Sequence, residues 1–191
     1  CLTLMIECAL QLRYLSGLDP QIIVSCCGTL FGENRPGIVS EMAHLPAGAS
    51  AAAFYAAMAF TLSAGARFER TARGGWLYGA SSLVVFPVAL AALVSCFCLY
   101  FYELPTHHCP FCILQREYHG AGYFLYALLL AGTVAGAGVG AIGWFKPRAS
   151  LAAAIPRVQR RLCRVSMLAY GAFTLWVTCP VVFSDFRLTG Y

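Results

Sequence analysis

The chain has 191 residues, of which 60% are hydrophobic and 11% are charged, and its formal net charge is +5. Soluble globular domains carry about 25% charged residues, so this chain has too few polar side chains to cover a water-soluble fold. The composition therefore excludes an ordinary soluble domain and predicts an all-α, polytopic bundle in a lipid bilayer. Because basic residues set the topology of membrane proteins, the excess positive charge does not indicate a nucleic-acid partner.

Five apolar segments are predicted to be membrane helices of a single transmembrane domain. The first, at residues 1–15, opens inside an apolar run with no basic region before it. This is typical of a helix whose beginning is missing, not of a signal peptide. The other four segments each supply the roughly 20 residues that a bilayer crossing needs. They lie at residues 46–66, 76–101, 120–143 and 165–183.

Two of these segments carry residues that bear on helix packing. Pro87 lies inside the segment 76–101 and predicts a kink there, because proline removes a backbone hydrogen bond. The segment 120–143 is rich in glycine, which lets helices approach closely. We therefore expect the segment 120–143 in the middle of the bundle.

The basic residues predict the orientation in the membrane. The loops at about 67–75 and 144–164 contain nine of the 13 Lys and Arg residues, so both are expected on the cytoplasmic side. The outer loops are then about 16–45 and 102–119. In the inner membrane of a bacterium these outer loops face the periplasm, where disulfides form and persist. The sequence thus predicts a multi-pass inner-membrane protein.

Each outer loop contains a pair of cysteines. Cys26 and Cys27 are adjacent in the first loop, and Cys109 and Cys112 form a Cys-x-x-Cys motif in the second. Adjacent cysteines can close a strained ring that is easily reduced, or form separate bonds, one of which would reach Cys109. Both pairs are predicted to face the periplasm and to take part in thiol–disulfide chemistry.

The second pair has a local setting suited to that chemistry. The thiolate is the nucleophile, and Cys109 is expected just before a helix whose free amide groups favour negative charge. Arg116 follows Cys112 by four residues and is predicted on the same helical face, where it could stabilise a thiolate or an anionic reduced quinone. Nearby imidazoles could relay protons; they belong to His107, His108 and His119.

Two other interpretations are open at this stage, and a third is excluded. A copper or zinc site could use His107, His108, Cys109 and Cys112, since these are ligands that both metals accept. The cysteines could instead form inert structural disulfides in a non-enzymatic subunit of a larger membrane complex. Attachment of haem c needs a histidine directly after the second cysteine, and Ile113 stands there, so no haem c is expected.

The run Cys-Pro-Phe-Cys-Ile-Leu-Gln-Arg at residues 109–116, followed by a glycine- and aromatic-rich segment, resembles the first periplasmic site of the DsbB family. Members of that family are membrane disulfide oxidoreductases that pass electrons from a periplasmic thioredoxin-like partner to a quinone. The resemblance covers under a tenth of the chain. It implies a redox role for Cys109 and Cys112, a place beside ubiquinone or menaquinone for Arg116, and a thioredoxin-like partner.

The chain departs from the DsbB family in two respects. That family has four helices, and its second cysteine pair lies in a later periplasmic loop. Here the second pair is Cys26 and Cys27, which come earlier in the chain and are adjacent. Their role toward a partner is therefore a separate prediction.

Aromatic residues crowd the outer ends of the segments 76–101 and 120–143 and are typical of a membrane interface. They could also hold a quinone ring, for which His119 and Tyr123 are candidates together with Arg116. Cys96 and Cys98, near the outer end of the segment 76–101, are interpreted as small hydrophobic residues. The same interpretation applies to Cys179, near the outer end of the segment 165–183.

Overall fold

A computed structural model describes residues 45–104, 108–118, 120–145, 154–184 and 186, together with the isolated positions 11, 13 and 42. This part of the chain contains four long helices: α1 at Ala47–Thr71, α2 at Gly75–Tyr102, α3 at Ala121–Gly143 and α4 at Ile155–Phe183. Each is long and apolar enough to cross a membrane, which confirms the predicted all-α bundle for these helices. The helix predicted at residues 1–15 lies outside the described residues, apart from positions 11 and 13.

The outer surface of the bundle is apolar. Large hydrophobic side chains are exposed on every long helix, among them Phe60, Leu83, Leu130 and Leu168. An apolar patch of this extent is unfavourable in water, whereas hydrocarbon chains solvate it without cost. The surface therefore suits a lipid bilayer, as the composition predicted.

Short connections make the helices run alternately up and down. Helix α1 packs against α2, α2 against α3, and α3 against α4, with a smaller contact between α1 and α4. The Ser184 hydroxyl donates a hydrogen bond to Glu103 Oε1 at 3.0 Å, which places the end of α4 beside the end of α2. This end of the bundle also carries residues 108–118, and we call it the cysteine end.

The opposite end is strongly basic, and we call it the arginine end. It contains an ion pair between Arg164 and Glu69, which joins the beginning of α4 to the end of α1. Its arginines are all exposed: Arg67, Arg70, Arg73, Arg157, Arg160, Arg161 and Arg164. The two ends therefore differ in charge in the way that the sequence predicted.

Helix α4 begins ten residues before the predicted start at residue 165, so residues 155–164 are helical and not part of a loop. Its first position is followed by Pro156, which fits the first turn of a helix. The Gln159 side chain is buried and donates to the Val139 carbonyl of α3 at 2.7 Å. The prediction was wrong here because hydropathy detects the apolar part of a helix and misses a basic, amphipathic beginning.

The backbones of helices α2 and α3 approach each other unusually closely where the two helices cross. A Cβ atom added at Gly79 would lie 2.9 Å from the Gly140 Cα atom, closer than real side chains approach. Helix α3 also packs extensively against α4. The expectation that α3 is the middle of the bundle was wrong, because α2 is the more deeply buried helix and contacts α1, α3 and α4.

The substitution Gly79→Val is expected to destabilise the bundle by about 1–3 kcal/mol, because the two helix backbones must separate to admit the side chain. The measurement is the free energy of unfolding in mixed detergent micelles. Gly171→Val is the matched control, since nothing lies within 4 Å of a Cβ atom at that position. Equal stability of the two variants would contradict the close helix crossing.

Helix α2 changes its hydrogen-bond pattern at the cysteine end. Residues Leu93–Phe97 form a π-helical turn, in which the Cys98 amide bonds to the Leu93 carbonyl. Residues 92–99 are all buried, so this stretch is enclosed on every side. Pro87 lies within the preceding α-helical part, and the kink expected there stays a prediction. Single π-helical turns are frequent at functional sites, so this end of α2 is a candidate position for one.

Candidate functional site

The Cys-x-x-Cys motif lies in an irregular segment between α2 and α3. Two short 3₁₀ turns, Cys112–Leu114 and Arg116–Tyr118, are separated by Gln115, whose ψ of 159° is extended. The segment is therefore not the beginning of the following helix, which starts at Ala121. This explains why the helical spacing assumed for Cys112 and Arg116 does not hold.

Both cysteines of the motif are buried, and neither is in a disulfide bond. The exposed fraction is 1% for Cys109 and 5% for Cys112, and both belong to the main hydrophobic core. Sequence reasoning placed the pair in an open periplasmic loop, but the structure folds that loop into the bundle. The reduced pair is consequently screened from water and from a soluble partner.

Two tyrosine hydroxyls hold the backbone of the motif in place. Tyr102, at the end of α2, donates to the Cys109 carbonyl at 2.6 Å, and Tyr126, on α3, donates to the Pro110 carbonyl at 2.6 Å. Since a carbonyl buried without a donor is costly, these hydrogen bonds compensate for folding the loop inward. We call this arrangement the tyrosine clamp. It fixes Cys109 and Pro110 against helices on two sides.

His108 ties the loop to the π-helical turn. Its Nδ1 atom lies 3.0 Å from the Val94 carbonyl oxygen. Because a carbonyl only accepts, Nδ1 carries the proton and donates this hydrogen bond. A π-helical turn disrupts the regular backbone pairing, so the imidazole supplies a donor where α2 departs from the α-helical pattern.

The first turn of α3 leaves space for the segment that follows the motif. A Cβ atom at Gly122 would lie 2.6 Å from Ile113 Cγ2 and 3.0 Å from the Ile113 carbonyl carbon. Glycine is therefore required for the loop to lie directly on α3. The Ile113 side chain is fully buried there, which anchors the chain immediately after Cys112.

The hydrophobic core around the motif contains two cysteines that were not predicted as site residues. Cys96 and Cys98 of α2 belong to the same hydrophobic core as Cys109 and Cys112, and none of the four is in a disulfide bond. Cys98 lies on α2 between the two residues that contact the loop, four residues after Val94 and four residues before Tyr102. Interpreting Cys96 and Cys98 as mere small hydrophobic residues overlooked this proximity, because a π-helical turn is not visible in a hydropathy profile.

Two other predicted site residues, Arg116 and Tyr123, lie at the surface of the cysteine end. Arg116 is exposed while Cys112 is buried, so the prediction that they share a helical face was wrong. Tyr123 lies in the first turn of α3 with 68% of its side chain exposed. Next to it, Phe124 forms an edge-on contact with Trp176 of α4 at 5.1 Å between ring centroids. Arg116 and Tyr123 thus lie at the outer surface of the cysteine end.

Part of the predicted chemistry falls on residues outside the described part of the chain. Cys26, Cys27, His107 and His119 all lie there, so their roles stay predictions. Among the residues that the structure does describe, no group of three or more His, Cys, Asp or Glu side chains could hold a metal ion. The Nδ1 atom of His108 is already occupied by the Val94 carbonyl and is not available as a metal ligand.

The substitution Tyr102→Phe is expected to lower the free energy of unfolding by about 1–3 kcal/mol, because it leaves the buried Cys109 carbonyl without its donor. The measurement is unfolding in mixed detergent micelles. Tyr123→Phe removes the same hydroxyl from an exposed ring of α3 and should leave the stability nearly unchanged. A loss of similar size in both variants would show that the clamp does not depend on the Tyr102 hydroxyl.

No protein-family model, curated protein or solved structure matches this chain.

Proposed function

We propose that the protein is a membrane thiol–disulfide oxidoreductase in which Cys109 and Cys112 form the redox pair and a membrane quinone accepts the electrons. The observation that carries the proposal is the tyrosine clamp, which holds a Cys-x-x-Cys backbone beside additional free thiols at one end of a membrane bundle. A purely structural loop would not need two buried cysteines held at a three-residue spacing without a disulfide between them.

The chemistry of the pair is a two-electron oxidation. Cys109 and Cys112 each lose one proton, their two sulfur atoms share a new bond, and the two electrons leave with the protons. A quinone takes up two electrons and two protons to become the quinol, so the reaction balances. In the other direction, a dithiol partner of the thioredoxin-like class reduces the Cys109–Cys112 disulfide by thiol exchange.

The quinone is supported by the chemistry of residues at the cysteine end. The exposed Arg116 guanidinium can donate to a quinone carbonyl, and the exposed Tyr123 ring offers a flat apolar face beside the lipid. His119 is a further candidate from the sequence. Because Cys112 is nearly buried, we expect that the loop must shift before its sulfur meets either a quinone or a partner.

The proposed orientation follows the charge of the two ends. Exposed arginines collect at the arginine end, which is therefore assigned to the cytoplasm. The cysteine end then faces the periplasm of a bacterium, an oxidising compartment. In this orientation Cys26 and Cys27 would lie on the same side as the motif and could pass electrons between it and a soluble partner.

The test is acid-quenched thiol trapping in membranes, with and without an added short-chain ubiquinone analogue. After chemical reduction and removal of the reductant, the quinone is expected to protect Cys109 and Cys112 from alkylation. Cys163, a buried free thiol near the arginine end, provides an internal reference that should keep its reduced state. If Cys109 and Cys112 stay equally reduced with and without the quinone, the proposed function is wrong.

The substitution Arg116→Ala is expected to raise the quinone concentration needed for half-maximal oxidation by about tenfold, because a charge-assisted hydrogen bond contributes about 1.5–3 kcal/mol. The rate at saturating quinone should change less. Arg160→Ala removes an exposed arginine from the opposite end and is the control. An identical concentration dependence in the two variants would rule out a role for Arg116 at the quinone.

A further inference from the structure

We infer that Cys98 is an internal exchange partner of Cys109, so that the active disulfide can move from the loop onto helix α2. This inference rests on the proposed redox function of Cys109 and Cys112. It adds a third catalytic sulfur, which lies on a transmembrane helix and not in an outer loop.

The first argument is the enclosure of the three sulfurs in one compartment. Cys98 has an exposed fraction of 0%, and it shares the hydrophobic core with Cys109 and Cys112. None of the three is in a disulfide bond. Thiols held together in a space without water can exchange with one another, whereas a soluble reagent must first open the loop.

The second argument is the position of the Tyr102 hydroxyl. It donates to the Cys109 carbonyl at 2.6 Å, and Tyr102 follows Cys98 by four residues, one turn along the same face of α2. The residue that holds the Cys109 backbone is thus a helical neighbour of Cys98. The tyrosine clamp fixes not only the loop but also the approach of Cys109 to Cys98.

The third argument is the local geometry of α2. The π-helical turn Leu93–Phe97 directly precedes Cys98, and the Cys98 amide closes that turn by bonding to the Leu93 carbonyl. The wider turn rotates the residues that follow it relative to a continuous α-helix. His108, adjacent to Cys109, bonds to the Val94 carbonyl of the same turn. The irregular part of α2 and the loop are therefore joined next to the two cysteines.

The exchange step is balanced without any external oxidant. Starting from the Cys109–Cys112 disulfide, the Cys98 sulfur gives up its proton and attacks the Cys109 sulfur. A Cys98–Cys109 bond forms, the Cys109–Cys112 bond breaks, and Cys112 leaves as a thiolate that takes up the proton. One disulfide and one thiol are present before and after the step, so nothing is oxidised or reduced overall.

The exchange gives Cys112 a distinct role. While the disulfide joins Cys98 to Cys109, the Cys112 sulfur is a thiol again and can react. Of the three cysteines, Cys112 is the nearest to Arg116 in the sequence. Cys96 shares the core but precedes Cys98 by two residues, so it does not share the helix face of Cys98 and Tyr102. It is the matched cysteine for controls, because it lies on the same helix and is also buried.

The experiment uses the full chain in lipid nanodiscs and two oxidants, diamide and a short-chain ubiquinone analogue. After acid quenching and alkylation, peptide mapping identifies which cysteines are joined. In the wild-type protein we expect both Cys109–Cys112 and Cys98–Cys109 linked peptides, with alkylated Cys112 accompanying the second. In oxidised samples of Cys98→Ala, alkylated Cys112 should be absent, because no Cys98–Cys109 bond can form. Oxidised samples of Cys96→Ala should still contain alkylated Cys112. In Cys112→Ser, diamide should join Cys98 to Cys109.

Two outcomes would overturn the inference. Either Cys98 is alkylated in every oxidised sample, or diamide joins Cys109 to Cys96 as readily as to Cys98 in the Cys112→Ser variant. Mapping of the wild-type protein needs no substitution, so it decides the question even where a variant fails to fold. Closure of Cys109–Cys112 by quinone with Cys98 always free would leave the proposed function intact. Reduced Cys109 and Cys112 in the presence of quinone would refute that function, while the diamide samples would still report the pairing.

Discussion

Replacing either cysteine of the motif, as Cys109→Ala or Cys112→Ala, is expected to abolish quinone-dependent disulfide turnover. Each substitution removes one of the two sulfur atoms between which the transferable disulfide forms. The other cysteine of the motif then has no partner for this disulfide, so no partial activity is expected. The expected loss is therefore complete within the sensitivity of the assay, which measures reoxidation of a reduced thioredoxin-like substrate by reconstituted protein. This is a larger effect than that of any other single substitution described here.

A buried cysteine remote from the site provides the control for this prediction. Cys163 is a free thiol in the hydrophobic cluster near the arginine end, where it contacts the Gly65 carbonyl at 3.6 Å. Cys163→Ala removes the same atom from a comparably buried position and should leave turnover unchanged. Full activity of Cys112→Ala, or equal loss in Cys163→Ala, would contradict the assignment of the redox pair.

The second large effect is expected from Gly122→Leu. Because a Cβ atom at this position already meets Ile113, including its backbone, a leucine cannot be accommodated while the loop lies on α3. We expect the loop to be displaced, with the Cys112 thiol labelled by a membrane-impermeant maleimide at least about tenfold faster, since local opening controls access to buried groups. The stability of the bundle should fall by about 1–3 kcal/mol, the usual cost of overpacking.

Gly171→Leu is the control for displacement of the loop, because Gly171 of α4 has nothing within 4 Å of an added Cβ atom. It should leave the labelling rate of Cys112 unchanged. The same slow labelling in Gly122→Leu as in the wild-type protein would show that α3 does not hold the loop closed. Comparison of the two variants therefore separates a local effect at the site from a general effect of a larger side chain.

The closed loop bears on how the cysteines of the motif can react. Cys109 and Cys112 are almost fully enclosed, and the tyrosine clamp and Ile113 hold them there. Under the proposed function, exchange with a soluble dithiol protein would require opening of this loop, whereas the proposed exchange with Cys98 would not. Enclosure would then favour internal transfer of the disulfide.

The sequence by itself determined the class of fold. Sparse charge and long apolar runs predict membrane helices because an unpaired backbone cannot lie in hydrocarbon, and four of these helices are confirmed. The starts of α1, α2 and α3 were predicted to within one residue, because each has a sharp change in hydropathy. The spacing of Cys109 and Cys112 indicates thiol–disulfide chemistry, which stays a prediction.

Only the tertiary structure decided what surrounds the motif. Burial of Cys109 and Cys112, the hydroxyl donors from Tyr102 and Tyr126, and the core shared with Cys98 all depend on contacts between separate parts of the chain. Such contacts have no period in the sequence, and the π-helical turn that leads to Cys98 is composed of ordinary apolar residues. A hydropathy pattern records which segments enter the membrane. The packing of one helix against another determines which of their cysteines can react together.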